Sequence, residues 1–404
     1  MKYLVVLCDG MADYPIEKLN GGTPMSVAKK PRMDLLAADS LVGTVSNVPD
    51  GMVPESDTAN MAVMSFDPKI YSKGRSPLEA VSMGIKMNED ETAYRCNVVT
   101  LSEEDCPYDE RTMIDHSADE ITTEEADELI KAIQAKFGDE NKTFYTGCSY
   151  RHCLIWKGTP YKYNFNRPHD ILGQKITKYV PLGVEGKPFY EMMKASYDVL
   201  ENHPVNVSRR ARGLKPANSI WLWSPGKKPM LPNFEEKWGV KGAVVCAVDL
   251  IKGIGLCAGM KAYDVEGATG NINTNYKGKA DTAVRAFKEG NDFVYIHIEA
   301  PDECGHRGEL ENKIRSIELI DEKILTPVHD WLKDCGDDYK ILVLPDHPTP
   351  LCLRTHSIDP VPFMLYSSRE KRRGVECFSE ESAKGADLYI EHGYNLLNHM
   401  IEKD

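Results

Sequence analysis

Met1-Lys2-Tyr3-Leu4-Val5-Val6-Leu7-Cys8-Asp9-Gly10 opens the chain, and its reading decides the fold. Residues 3–7 are apolar without interruption. A run of this kind fits a strand covered on both faces, as in a parallel sheet flanked by helices. Asp9-Gly10 follows at once. In open parallel sheets ligands bind beyond the carboxyl ends of the strands, so a carboxylate here is well placed for a metal or a substrate. The same pair alone is also an ordinary turn.

Comparable runs recur late in the chain, at 242–248, 293–298 and 340–344, with a shorter one at 362–366. Helical patterns lie between them. One covers 280–288. A stronger one covers 312–329 and aligns Ile314, Ile317, Ile320, Ile324 and Val328 on one face. Strands alternating with helices predict an α/β domain with a mostly parallel sheet. The middle differs. Residues 97–102, 143–145 and 153–156 read as strands around a helix at 122–137, and a second helix is expected at 188–202. That order suits a small α+β module. The expectation is a core split into 1–90 and 205–404 around an inserted α+β domain at 91–204.

The 404 residues are 42% hydrophobic and 27% charged, ordinary for a globular protein with a sizeable core. A net charge of −13 argues against a general nucleic-acid binder. The 11 cysteines are odd in number and contain no C-x-x-C pair, which fits reduced thiols in the cytoplasm. The first apolar run is too short for a secretion signal, and no run approaches the roughly 20 residues that span a bilayer. No nucleic-acid or membrane partner is expected.

Five fragments carry chemistry. Asp9-Gly10 is the first. In the second, Glu55-Ser56-Asp57-Thr58 opens a helical segment after a loop with Gly51 and Pro54, and Ser56 is expected at the N-cap. A helix N-terminus favours an alkoxide or a phosphate, although a serine there is also an ordinary cap. The third is Ala300-Pro301-Asp302 with Gly305-His306, where a spacing of four can aim both side chains at one ion. Asp346-His347 ends another strand, and His356 lies in the loop to the last one. Three Asp and three His thus follow strands of one sheet. Two divalent ions need about this many oxygen and nitrogen ligands, and paired metals suit in-line phosphoryl displacement.

In this order the fragments resemble the alkaline-phosphatase superfamily, and more closely the archaeal-type 2,3-bisphosphoglycerate-independent phosphoglycerate mutases. The resemblance extends through Arg32-Met33-Asp34, Gly74-Arg75, Tyr150-Arg151-His152, Pro168-His169-Asp170 and Pro216-Ala217-Asn218. It implies an alkaline-phosphatase-like α/β core and a cofactor-independent mutase of glycolysis, interconverting 3- and 2-phosphoglycerate through a phosphoserine on Ser56. It implies that Asp9, Ser56, Asp346 and His347 hold one divalent ion and that Asp302, His306 and His356 hold the other. The resemblance admits Mn²⁺, Zn²⁺, Mg²⁺ or Co²⁺, and the imidazole share favours Mn²⁺ or Zn²⁺ over Mg²⁺. The small phosphorylated substrate would meet Arg75, Arg151, His152, His169, Asp170 and Arg209, and the insert would help to exclude water.

One stretch departs from the family. Its Asp-Arg-Arg-Ala-Gly-Arg run is replaced by Asp115-His116-Ser117-Ala118-Asp119-Glu120. If those arginines bind oxyanions, each loss costs on the order of 1.5–3 kcal/mol. Asp119 or Glu120 could instead meet an ammonium group. That suits a branch of the family proposed to phosphorylate homoserine, with the same Ser56 nucleophile and phosphate from a nucleotide. Arg75, Arg95, Arg209, Arg210 and Arg212 remain available for phosphate in either case.

Overall fold

The computed structural model describes residues 1–159 and 163–401. In chain order the strands of the described residues are β1 (Lys2–Cys8), β2 (Leu41–Val45), β3 (Glu91–Leu101), β4 (Met113–Asp115), β5 (Lys142–Cys148), β6 (Arg151–Lys157) and β7 (Ser219–Gly226). They continue as β8 (Gly242–Val245), β9 (Lys261–Tyr263), β10 (Phe293–Ile298), β11 (Tyr339–Leu344), β12 (Val361–Ser367) and β13 (Tyr389–Ile390). The chain divides into two compact units, one of residues 1–72 with 230–404 and one of residues 73–229.

The first unit is built on an eight-stranded sheet in the order β13-β2-β12-β11-β1-β10-β8-β9. β1 lies at its middle, parallel to β10 on one side and β11 on the other. Leu4, Val5, Val6, Leu7 and Cys8 are all fully buried, which is why this stretch shows no alternation. Burying each such Val or Leu contributes about 1.5–3 kcal/mol. Ile317, Ile320, Ile324 and Val328 pack on one face of the sheet, as their spacing predicts. Their segment contains a π-helical turn at Asp321–Leu325 between two α-helices.

β12 runs antiparallel to both β11 and β2, so the sheet is mostly but not wholly parallel. β2 was not expected from the sequence. Its Leu-Val-Gly-Thr-Val run is short and broken by Gly43, where a Cβ would lie 2.5 Å from the Leu388 carbonyl oxygen.

The second unit carries an antiparallel sheet in which β4, β6 and β7 all pair with β3, and β5 pairs with β6. The Thr123–Phe137 helix is capped by Thr122 and buries Ala126, Leu129, Ile130 and Ile133. The Gly183–Leu200 helix buries Phe189, Met192, Met193, Tyr197 and Leu200. The α+β character matches the expectation, but 91–204 is too narrow. β7 pairs with β3 from Val99 back to Ala93, and the Ser76–Ser82 helix packs on β3. The unit therefore cannot end before 226 or begin at 91. No helix among the described residues is long and apolar enough to cross a membrane.

Candidate active site

Every expected metal-binding residue lies in the first unit, and the structure brings them into two adjoining clusters. Asp9 leaves the end of β1, Asp346 and His347 leave the end of β11, and Asp302 lies on the Ala300–Arg307 helix after β10. Neighbouring parallel strands thus deliver their loops to one place. The approach is close. A Cβ on Gly10, whose φ is 61°, would lie 2.5 Å from Thr349 Oγ1 and 2.6 Å from Asp302 Oδ1.

The first cluster holds Asp9, Asp346 and His347, all buried. Asp346 Oδ1 accepts from Gly10 N–H at 3.1 Å and from its neighbour His347 N–H at 2.9 Å. Its Oδ2 accepts from Asn60 Nδ2 at 2.8 Å. Asp9 Oδ2 lies 2.9 Å from His297 Nε2, while Asp9 Oδ1 is buried with no hydrogen-bond partner. His347 Nε2 points among these groups, 3.7 Å from Asp9 Oδ1, 3.5 Å from Asp346 Oδ2 and 3.2 Å from Ser56 Oγ. Burial, followed by the Asp346 and Asp302 charges, pushes the Asp9 carboxyl well above the usual carboxylate range. An orphaned carboxylate oxygen beside a second carboxylate and an imidazole is an arrangement that a cation would satisfy.

The second cluster joins Asp302, His306 and His356. His306 Nδ1 lies 3.0 Å from the Arg354 carbonyl oxygen, and His356 Nδ1 lies 2.6 Å from that of Pro54. A carbonyl only accepts, so both Nδ1 atoms carry hydrogen and each neutral ring keeps its lone pair on Nε2. Those two Nε2 atoms are 2.9 Å apart, and they lie 3.2 and 3.3 Å from the Asp302 oxygens. Burial alone would raise the Asp302 carboxyl, but hydrogen bonds from His306 and His356 outweigh it and hold it below the ordinary range. Its partner His306 is pushed up to about 9, chiefly by that hydrogen bond. Converging lone pairs beside a carboxylate hold either extra protons or a divalent ion. The His347 and His356 rings stack at 3.9 Å and so link the clusters. The donor sets and the orphaned oxygen fit divalent metal binding.

Ser56 lies at this junction. Glu55 is the N-cap of the Ser56–Val63 helix, so Ser56 is its first helical residue rather than the cap expected from sequence. The difference frees its hydroxyl from capping. Asn60, one turn on and fully buried, donates to the Ser56 carbonyl oxygen at 2.8 Å as well as to Asp346.

Residues 37–206 match the family described as 2,3-bisphosphoglycerate-independent phosphoglycerate mutase. A protein of that name from Methanosarcina barkeri is 44% identical over all of both chains. A probable one from Geobacter sulfurreducens is 45% identical over the same span. The chain belongs to this family. The solved structure of a Pyrococcus horikoshii protein superposes with a TM-score of 0.81 at 30% identity, covering 100% of this chain and 98% of the other. The cofactor-independent phosphoglycerate mutase of Thermoplasma acidophilum gives 0.68 at 27% identity, covering 99% of both. The core of the fold so matched is the helix-flanked, mostly parallel sheet of the first unit.

The expected substrate residues of the second unit fare unevenly. Arg151, His169 and Asp170 are exposed, and Arg75 begins the Ser76–Ser82 helix. His169 packs its ring against Trp223 and His116 at 5.5 and 6.0 Å. His152 is buried. Its Nδ1 accepts from Gly147 N–H at 3.1 Å, and burial holds it down to about 3, so it is neutral. Arg209 corrects the sequence reading. It is 2% exposed, and its guanidinium is committed to Glu125 and to the carbonyl oxygens of Ala118 and Lys215. Arg95, Arg210 and Arg212 are likewise engaged, with Glu79, Glu103 and Glu125.

The 115–120 run is a structural turn. Ala118, Asp119 and Glu120 all have positive φ, between 48° and 56°. Lys215 Nζ clamps the turn, donating to Asp115 Oδ2 at 2.8 Å and to Asp119 Oδ1 at 2.7 Å. Asp119 Oδ2 accepts from Lys215 N–H at 2.8 Å. Both oxygens of Asp119 are thus occupied within the fold.

Sequence reasoning passed over His297, Asn60 and Thr349. The signal for His297 was available, since a histidine inside a fully buried apolar strand needs a polar partner.

Proposed function

We propose that this chain interconverts 3-phosphoglycerate and 2-phosphoglycerate by phosphoryl transfer through Ser56, with Asp9, Ser56, Asp346 and His347 holding one divalent ion and Asp302, His306 and His356 the other. The observation that carries the reading is the Ser56 hydroxyl at a helix start, 3.2 Å from His347 Nε2 and between two clusters of carboxylate and imidazole groups. The substrate comes from the names of the full-length relatives. The donor set mixes carboxylate with imidazole, which favours Mn²⁺ or Zn²⁺ over Mg²⁺.

Bound ions would lower the pKa of the Ser56 hydroxyl and offset charge on the phosphoryl oxygens. The chain's own groups do the rest. Ser56 Oγ bonds to phosphorus as the bond to the substrate oxygen breaks, and the proton that Ser56 gives up passes to that oxygen, which leaves as the neutral hydroxyl of glycerate. The phosphoserine then returns the group to the other hydroxyl, and Ser56 regains a proton. A helix start at Ser56 favours the transferred oxyanion through its N–H groups and dipole. Asn60 keeps the helix start in register with Asp346.

The homoserine reading loses one of its two candidate carboxylates, because Lys215 occupies both oxygens of Asp119. A paired assay with Mn²⁺ tests the choice. Conversion of 3-phosphoglycerate, detected through enolase, is expected, with no phosphohomoserine from homoserine and ATP by phosphorus NMR. The reverse result would make the protein a kinase. Asp119→Asn should leave kcat/KM for phosphoglycerate within about twofold. It should cost no more than about 1 kcal/mol in stability, as for other exposed ion pairs.

A further inference from the structure

β10 presents Tyr295 and His297 two residues apart, hence on one face of the strand, and both are fully buried. Each controls a carboxylate of the first cluster. Tyr295 Oη donates to Asn60 Oδ1 at 2.6 Å, which turns the amide so that Nδ2 faces Asp346 Oδ2. His297 acts directly, with Nε2 2.9 Å from Asp9 Oδ2. Its backbone carbonyl oxygen is held by the buried Lys279, whose Nζ donates at 3.0 Å.

His297 has two conceivable uses. Asp9, His297 and Asp346 are close enough to hold an ion together. An ion held by Asp9 keeps that carboxyl ionised and accept-only, however, so at this distance Nε2 then carries the hydrogen and has no lone pair to give. The other ring nitrogen, Nδ1, is buried without a hydrogen-bond partner. An orphaned ring nitrogen in a strand core costs stability, and an apolar residue would avoid that cost. The histidine is therefore explained by what Nε2 does.

We infer that His297 is a positioning residue: it donates Nε2–H to Asp9 Oδ2, fixes the rotation of that carboxylate, and leaves Oδ1 as the oxygen offered to the ion. The inference rests on the proposed reading of Asp9 as a metal ligand. Hydrogen-bonded partners of ligating carboxylates matter to metal sites in general, and losing one weakens affinity by about 10–100-fold.

Glutamine and asparagine separate the two uses. The amide nitrogen of glutamine falls near the place of Nε2 and can still donate to Asp9. That of asparagine falls near Nδ1 and cannot reach. Mn²⁺ is titrated into metal-free wild type, His297→Gln and His297→Asn, with bound and free ion followed by EPR and folding checked by circular dichroism. His297→Gln should bind two ions per chain at near wild-type affinity, and His297→Asn should hold one of them about 10–100-fold more weakly. Wild-type binding in His297→Asn would overturn the inference. Outright loss of one ion from both variants would overturn it too, by making His297 a ligand. If His297→Asn does not fold, His297→Gln alone decides: two ions retained supports positioning, one ion lost refutes it. Absence of Mn²⁺ binding in the wild type would instead refute the metal reading beneath it.

Discussion

Ser56→Ala should lose phosphoglycerate mutase activity by a factor on the order of 10⁴–10⁶, the scale seen when a nucleophile is removed from a preorganised site. The expected loss is large because a mutase working through serine has no other atom to carry the group. The hydroxyl lies 3.2 Å from His347 Nε2, and Glu55 occupies the N-cap position, so alanine removes no cap. Stability should fall by less than about 1 kcal/mol, as for substitutions outside the core mechanisms. The six carboxylate and imidazole groups proposed as ligands should still bind Mn²⁺. The decisive comparison is turnover against ion stoichiometry in one preparation. Substantial activity in a metal-loaded Ser56→Ala protein would sink the phosphoserine mechanism.

How far the sequence carried this reading differs between the two units. In the first, the central buried strands and the residues that follow them were both visible, though β2 was not. An apolar run ending in Asp9, Asp346 or Asp302 announces burial and chemistry together. What was hidden there is the layer behind the proposed ligands. Asn60 and His297 sit inside regular elements, where their side chains look like isolated polar residues until the fold brings Asp346 and Asp9 to them. The antiparallel course of β12 was hidden for a similar reason, since direction within a sheet depends on a partner distant in sequence. In the second unit the helices were legible from caps and periodicity, and the α+β order followed. The roles of its charges were not. Arg209 and Asp119 carry the residue types of a substrate pocket, yet Glu125 and Lys215 occupy them. Composition cannot distinguish an arginine reserved for a ligand from one closing a turn, because the discriminating partner lies 84 residues away in the first case and 96 in the second.

The largest stability effect should come from a residue that does not touch the two clusters' donor atoms. Lys313→Met is expected to destabilise the first unit by about 3–5 kcal/mol, the usual cost of removing one partner of a buried ion pair. Lys313 is fully buried on the Leu310–Ile320 helix. Its ammonium donates to Asp13 Oδ2 and the Thr349 carbonyl oxygen, both at 2.8 Å, and to the Ala12 carbonyl oxygen at 3.3 Å. It thus ties the loop after β1 to the loop after β11, the two segments that carry Asp9 and Asp346-His347. Burial pulls its pKa below the ordinary lysine value, and the charge of Asp13 opposes that pull. Methionine fills similar volume but leaves the Asp13 carboxylate buried with only the backbone donors of Tyr14 and Leu351. Asp13→Asn in the same chain should recover part of the loss, because the stranded charge disappears. For a unit of this size the single variant should lower the calorimetric midpoint on the order of 6–10 °C. Metal affinity should weaken alongside it, since Thr349 also donates its hydroxyl to Asp302. A Lys313→Met protein that melts with the wild type would show that the two loops are held by their other contacts, and would remove the ion pair from the account of how the site is kept in place.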